Sequence, residues 1–250
     1  MLAAGLWLFW GVLSDPLYRD VLRTLARGVS VTVLVSVVAY AAACLLGLLL
    51  ALMALSRFVA LRQAARLYVE VMRGVPIIVL LLYVAFVLAP ALVAAVNGVA
   101  ALWGSEGIRP RDFPLLWRAV IALTLAYSAF LAEVFRAGLQ SVDKGQVEAA
   151  KALGLKPWPR FRLVTFPQAF RTVFPALGND FVAMVKDSSL VSVLGVTDVT
   201  QLGKVTAAGN FRYFETYNVV ALIYLTMTIG LSLLLRRLEL RLRARGSPGA

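Results

Sequence analysis

Residues 145–167 read GQVEAAKALGLKPWPRFRLVTFP and form the largest polar interruption in a chain that is otherwise rich in apolar residues. Gln146–Leu153 predicts a helix of two turns, and its three alanines leave part of the helix surface flat. Gly154 stands where a helix ends in a left-handed residue, and Pro157 prevents the helix from continuing. Because helices shorter than roughly 12–15 residues are marginal in water, we expect this one to dock against another surface.

The composition around this stretch is that of a membrane protein. Of the 250 residues, 61% are hydrophobic, and the mean hydropathy is +0.83. The net charge is +12, but the arginines flank apolar runs, as they do near anionic lipid. Nucleic-acid binding is therefore not expected. The chain has no histidine and one cysteine, Cys44, so the usual zinc and haem ligand sets and an intrachain disulfide are absent.

Hydropathy and charge asymmetry together predict five transmembrane helices. Three apolar runs are long enough to span a bilayer, and a fourth, Phe113–Glu133, is counted as a span although Arg118 and Glu133 enclose only 14 uncharged residues. The run that begins near Phe170 is interrupted by Asp180, Lys186, Asp187 and Asp198. Counting that run as a span places 17 Lys and Arg residues on one side and 8 on the other; omitting it gives 14 and 11. The asymmetry favours five spans, with the N-terminus outside and the C-terminus in the cytoplasm. The predicted spans are 28–56, 67–97, 113–136, 182–203 and 215–236.

These spans divide the chain into three parts. Residues 1–27 are an N-terminal lead-in, residues 28–236 are the transmembrane domain with a cytoplasmic loop at 137–181, and residues 237–250 are a basic cytoplasmic tail. Met1–Leu13 is apolar but short and lacks a basic start, which favours a helix lying on the membrane surface. Cleavage of this segment, or its insertion as an extra span, is the alternative.

Polar residues within the spans are the candidates for a transport path. Thr124, Tyr127 and Ser128 share one helix face, where interhelical hydrogen bonds explain them as well as transport does. Glu133 and Arg136 lie three residues apart, which predicts a salt bridge, although an acidic group in a span is also a functional candidate.

Two further charged motifs have the same ambiguity. Glu70 and Arg73 have the spacing of a helical ion pair. Lys186, Asp187 and Ser188 form either a charged cap at the membrane boundary or a gating or substrate site. We find no paired nucleophile and base, and therefore no catalytic site is predicted.

Four motifs together carry a family resemblance. Glu148-Ala149-Ala150 followed by Gly154 and Val164-Thr165-Phe166-Pro167 resembles the EAA loop of ABC importer permeases, with Val164 and Phe166 in place of the usual Ile and Leu. The other three motifs resemble the branch that imports polar amino acids, with Val75 and Ser188 where that branch commonly has Thr. They are Tyr68–Pro76, Ser128–Gln140 and Lys186–Leu190.

The resemblance implies an all-α integral membrane protein with the type I ABC importer permease fold, in a bacterial plasma or inner membrane. It implies a non-catalytic subunit that moves polar amino acids inward while its EAA helix inserts into a cleft on a cytoplasmic ATPase. The implied coupling residues are Gln146, Glu148, Ala149, Ala150, Ala152, Leu153, Gly154 and Leu155. The implied translocation residues are Thr124, Tyr127, Ser128, Glu133, Lys186, Asp187 and Ser188.

The implied partners follow from the same resemblance. They are two ATPase subunits, a second permease that is identical or related, an extracytoplasmic solute-binding protein and the surrounding lipid bilayer. ATP and Mg²⁺ would bind to the ATPase, because this chain has no GxxxxGK[ST] loop.

An ion-coupled secondary carrier is the alternative function. Such a carrier would use Glu133 or Asp187 as its relay and would need no ATPase. Carriers of this kind usually contain inverted repeats, and the sequence shows none.

Overall fold

The computed structural model describes residues 16–103 and 107–244, and the described residues are helical, without a strand. The predicted surface-lying segment Met1–Leu13 falls outside these residues. The α-helices are α1 Pro16–Ala54, α2 Val59–Gly74, α3 Ile77–Tyr83, α4 Ala89–Leu102, α5 Leu115–Gln140, α6 Lys144–Ala152, α7 Pro157–Arg160, α8 Phe166–Asp187, α9 Val199–Asn210 and α10 Tyr213–Ala244. Val84–Leu88 and Phe161–Thr165 are π-helical turns, and Pro110–Asp112 and Ser188–Leu194 are 3₁₀ helices.

Among the described residues, four helical stretches are long and apolar enough to cross a membrane. They are Tyr18–Ala54, Ile77–Leu102, Leu115–Gln140 and Tyr213–Leu242. Each of them contains most of a predicted span. The predicted span 67–97 is not one continuous helix, because Pro76 separates α2 from α3 and lacks the backbone N–H that would continue a helix.

The predicted fourth span, 182–203, is wrong as a single helix. Helix α8 ends at Asp187, a 3₁₀ helix follows, and Gly195 adopts a left-handed conformation with φ of 78°. Asp198 then caps α9, its Oδ1 accepting the N–H of Gln201 at 2.8 Å. The left-handed glycine and the new cap turn the chain within the segment that the charge asymmetry had favoured as a span. The number of spans and the orientation of the termini stay predictions.

The predicted cytoplasmic loop 137–181 is mostly helical. It contains the end of α5, all of α6 and α7, a π-helical turn and much of α8. The loop is therefore a set of short, ordered elements.

The chain divides into two compact units, and the first takes its described residues from Met1–Tyr40, Val75–Thr124 and Met184–Ile229. In this unit the backbone of α1 approaches the cap of α9 closely. A Cβ added to Gly28 would lie 2.6 Å from the carbonyl carbon of Asp198, and the hydroxyl of Thr32 accepts the N–H of Val199 at 3.3 Å. The buried cluster of the unit is Val21, Leu25, Val199, Val219, Val220 and Ile223.

The second unit takes its described residues from Ala41–Gly74, Leu125–Ala183 and Gly230–Ala250. Small residues here let helices approach: a Cβ on Gly47 would lie 2.9 Å from the Cβ of Leu131. The hydroxyl of Tyr68 on α2 donates to the carbonyl of Leu125 on α5 at 3.1 Å. The buried cluster of this unit is Leu50, Ala65, Val69, Ala129 and Ala132.

Candidate coupling helix and polar sites

The predicted coupling helix forms, with bounds shifted slightly from 146–153 to Lys144–Ala152. Asp143 is its N-cap, and Oδ1 of Asp143 accepts the N–H of Gln146 at 3.3 Å. A side-chain oxygen at this position satisfies a donor that the helix itself leaves unpaired. The start of the helix is therefore defined by its own sequence.

The C-terminal end of the coupling helix is a Schellman motif. Gly154 has φ of 73°, the left-handed conformation that its position predicted. The N–H of Leu155 donates to the carbonyl of Ala150 at 3.1 Å, and the N–H of Gly154 donates to that of Lys151 at 2.9 Å. These two bonds are those by which a Schellman motif satisfies the last carbonyls of a helix. Both ends of this short helix are thus closed.

The coupling helix packs through one face, on which Val147 is half-buried, and leaves its other faces open. Ala150 is buried, with 4% of its surface exposed. Leu153 is 81% exposed, so its side chain is accessible to a partner. Of the other residues implied in coupling, Gln146, Glu148, Ala149, Ala152 and Gly154 are exposed and Leu155 is half-buried.

A row of five aromatic rings follows the coupling helix, and the sequence reasoning missed it. Successive ring centroids lie 5.7–5.9 Å apart. Phe161 and Phe166 are five residues apart and would not share a face of a regular α-helix, but they are joined by a π-helical turn, in which the N–H of Phe166 donates to the carbonyl of Phe161. The row is Trp158, Phe161, Phe166, Phe170 and Phe174.

Glu133 and Arg136 form the predicted salt bridge. Nη2 of Arg136 donates to Oε2 of Glu133 at 2.6 Å, and Nη1 of Arg136 donates to Oε1 of Gln140 at 2.9 Å. The predicted pair of Glu70 and Arg73 is not formed. No ion pair within 4.0 Å joins these two described residues, and the guanidinium of Arg73 lies over the ring of Phe130, 5.7 Å from its centroid.

The hydroxyl residues of α5 are engaged in packing and hydrogen bonding within their own units. In the first unit, the Thr124 hydroxyl donates to the carbonyl of Val120 at 2.7 Å. In the second unit, the Ser128 hydroxyl donates to the carbonyl of Leu125 at 2.9 Å and lies 2.9 Å from the hydroxyl of Tyr68. Tyr127 is buried, and its ring lies 6.2 Å from that of Phe130.

Lys186, Asp187 and Ser188 occupy the end of α8 and the start of the 3₁₀ helix in the first unit. Lys186 is exposed and Asp187 is half-buried. Ser188 is fully buried, and its hydroxyl donates to the carbonyl of Val185 at 2.7 Å. The buried hydroxyl closes the end of the helix, as Ser does at such positions.

A buried polar network around Asp198 is the main feature of the first unit that the sequence reasoning missed. Asp198 has no exposed surface, and its Oδ2 accepts the hydroxyl of Tyr224 at 3.1 Å. The hydroxyl of Thr200 lies 3.0 Å from that of Tyr224, within hydrogen-bond distance. The spacing from Asp198 to Gln201 is that of a capping motif, and this signal could have located the turn.

The chain matches one protein family over most of its length. The family is described as "Binding-protein-dependent transport system inner membrane component", and the match covers residues 43–244.

Individual relatives match nearly the whole chain. "Probable amino-acid permease protein YxeN" of Bacillus subtilis (strain 168) is 37% identical over 211 residues, covering 84% of this chain and 88% of the relative. "Glutamine transport system permease protein GlnP" of Escherichia coli (strain K12) is 34% identical over 219 residues, covering 88% and 93%. A crystal structure of an amino acid ABC transporter with histidines is 36% identical, with a TM-score of 0.71, over 88% of this chain and 94% of that chain.

Proposed function

Since the chain belongs to the family of binding-protein-dependent transport system inner membrane components, we propose that it carries polar amino acids inward as the permease subunit of an ABC importer. Relatives at 34–37% identity are named for glutamine and for amino acids. The family is one of inner membrane components, and the four long apolar helices of this chain fit a multi-pass membrane protein. The alternative of an ion-coupled carrier has no comparable support.

The observation that carries the coupling proposal is the helix Lys144–Ala152 with both ends closed and most of its surface open. A capped helix keeps its shape when a partner pushes on it, and the exposed Leu153 offers an apolar anchor to a pocket. Ala149 and Ala152 allow a partner backbone to approach. We propose that this helix sits in a cleft of the ATPase and follows the movement of that subunit.

In this proposal the permease performs no bond chemistry. ATP and Mg²⁺ bind to two partner ATPase subunits, whose closure on ATP moves the two docked helices. The movement opens the spans toward the outside, where a loaded solute-binding protein releases its amino acid. Hydrolysis and product release then return the permeases to the inward-open state.

A second permease, identical or related, would complete the passage, because few spans are available in one chain to enclose it. The translocation residues proposed for this chain are Thr124, Tyr127, Ser128, Glu133, Lys186, Asp187 and Ser188. The hydroxyls of Thr124, Ser128 and Ser188 donate to nearby backbone carbonyls, so we expect these residues to shape the passage and only some of the set to contact cargo.

Uptake into proteoliposomes tests the proposal. The complex of this chain with its ATPase and binding protein is reconstituted, and ATP-dependent entry of labelled L-glutamine, L-arginine and L-glutamate is followed. We expect uptake of at least one of them only when ATP and the binding protein are both present. Glu148→Lys should abolish uptake without preventing insertion. Asp20→Lys, which reverses an exposed acidic charge elsewhere, should leave uptake intact.

Uptake that persists without ATP, or in liposomes that lack the ATPase, would contradict the proposal and favour the ion-coupled carrier. Normal uptake by the Glu148→Lys variant would contradict only the proposed role of the coupling helix and would leave the importer proposal intact.

A further inference from the structure

The second unit contains a cavity of about 380 Å³, whose lining includes Glu133 but none of the other proposed translocation residues. This volume lies within the range of small-molecule sites, about 300–1,000 Å³. Its wall includes buried apolar residues such as Ala51 and Ala65. Its polar lining consists of Arg66, Glu70, Glu133, Arg136 and Gln140.

Two opposite charges in the lining are unpaired. Arg66 and Glu70 lie one turn apart on α2, a spacing at which a glutamate and an arginine commonly pair. Within the part of the chain that the structure describes, neither side chain makes an ion pair or a hydrogen bond, and both are exposed to the cavity. The cavity therefore presents one unused cation and one unused anion.

The polar residues that α5 contributes to the cavity already bind one another. Glu133 is bound by Arg136, which is also held by Gln140. A ligand carrying only a negative or only a positive charge would leave either Glu70 or Arg66 without a counter-charge. A ligand with one charge of each sign matches the two unused groups.

The helix that carries Arg66 and Glu70 is held in place at two points. Tyr68 bonds to the carbonyl of Leu125 and lies beside the hydroxyl of Ser128, and Arg73 lies over Phe130. These contacts fix the backbone of α2 before any ligand binds. Such preorganisation lowers the entropic cost of binding.

We propose that this cavity binds a free α-amino acid as a zwitterion. The guanidinium of Arg66 donates to the α-carboxylate, a geometry that favours two parallel hydrogen bonds, and the carboxylate of Glu70 accepts from the α-ammonium. The identity of the ligand as an amino acid rests in part on the proposed function. In the predicted topology, α2 lies on the cytoplasmic side, so the site samples the amino acid that has already been imported.

Protection of an introduced cysteine from maleimide labelling tests whether an amino acid binds in this cavity. Leu55 lines the cavity and is 41% exposed, so Leu55→Cys in a Cys44→Ser background gives a reactive thiol at the site. The full complex, without binding protein, is labelled by a water-soluble maleimide in the presence of L-glutamine, L-arginine or L-glutamate. We expect at least one of them to slow labelling about tenfold at saturation. N-acetyl-L-glutamine and 4-aminobutanamide, which lack the α-ammonium and the α-carboxylate respectively, should not protect.

Matched variants define the contacts. Arg66→Gln and Glu70→Gln should each weaken protection about tenfold or more, since each removes a charge-assisted hydrogen bond. Arg62→Gln removes the same charge from the same helix, outside the cavity lining, and should have no effect. As a second control, Ala64→Cys places a thiol at an exposed position outside the cavity lining, and this thiol should be labelled at the same rate with or without amino acid.

Three results would overturn the inference. They are absence of protection by all three amino acids, equal protection by the two analogues, and unchanged protection in both the Arg66 and the Glu70 variants. ATP-dependent uptake in the same complex reports on the proposed function separately. Uptake without protection would refute only the cavity site, and protection without uptake would refute only the importer.

Discussion

The hydroxyl of Tyr224 donates to the carboxylate of Asp198 across 3.1 Å, although Asp198 is 26 residues away and completely buried. The other carboxylate oxygen accepts the N–H of Gln201 at 2.8 Å. The carboxylate thus caps α9 and also attaches its start to α10. A buried carboxylate needs such donors, because an unpaired charge away from water is costly.

Removing the phenolic hydroxyl should therefore destabilise the first unit. We expect Tyr224→Phe to lower the free energy of unfolding by about 1–3 kcal/mol, since it leaves a buried acceptor without its partner. Thermal unfolding in detergent measures this loss. Tyr217→Phe, on the same helix with an exposed side chain, is the control and should change little. Equal stability of the two variants would contradict the importance of the Tyr224–Asp198 bond.

Two glycine-to-alanine substitutions should have opposite effects. A Cβ on Gly28 would meet the backbone of Asp198 and Val199 at 2.6 Å, so Gly28→Ala must push the two segments apart and should destabilise the protein. A Cβ added to Gly230 would have no neighbouring atom within 4 Å. Gly230→Ala should stabilise α10 by about 0.5–1 kcal/mol, the usual difference within a helix. The thermal unfolding midpoints of the two variants, compared with that of the wild type, show whether each change stabilises or destabilises the protein. A Gly28→Ala variant as stable as the wild type would contradict the close approach of α1 to Asp198 and Val199.

The Glu133–Arg136 pair should contribute little to stability. Both side chains are more than a third exposed, at 36% and 37%, and exposed pairs contribute about 0–1 kcal/mol. We expect Glu133→Gln, Arg136→Gln and the double variant each to lower the free energy of unfolding by less than about 1 kcal/mol. Urea or thermal titrations of the four proteins give the coupling energy. A loss of several kcal/mol in a single variant would instead indicate a desolvated pair.

The left-handed residue at the end of the coupling helix gives a graded test. Asn tolerates this conformation and Val does not, the cost for ordinary residues being about 1–2 kcal/mol. Gly154→Asn should keep most of the ATP-dependent uptake, whereas Gly154→Val should lose most of it while inserting normally. Gly209→Val, at an exposed glycine without positive φ, is the control. Equal uptake by the Asn and Val variants would show that the shape of this helix end is unimportant.

Features that depend on local chemistry could be predicted from the sequence. The coupling helix and its end were predictable, because Gly154 and Pro157 act on the chain within a few residues of themselves. The Glu133–Arg136 pair was predictable for the same reason, since both residues share one helix. The family resemblance rested on motifs of this local kind and is confirmed by the match over residues 43–244.

Features that depend on tertiary contacts were missed. Neither hydropathy nor the charge count could show that segment 182–203 is broken, because the turn at Gly195 and the cap at Asp198 form in the folded chain. The network of Asp198 and Tyr224 joins residues far apart in sequence. Arg66 and Glu70 have the spacing of a helical pair, and only the packing around α2 shows that both line the cavity instead. Likewise, the guanidinium of Arg73 lies over the ring of Phe130, which belongs to another helix, and makes no ion pair with Glu70.

The measurement that tests the central claim most directly is the side of the membrane from which residue 149 can be labelled. Ala149 is exposed on the coupling helix, so Ala149→Cys in a Cys44→Ser background presents a thiol to solvent. We predict that an impermeant maleimide labels it only in inside-out vesicles, and that the bound ATPase subunit blocks the reaction. Labelling from the outside of right-side-out vesicles, or labelling unaffected by the ATPase, would contradict the account.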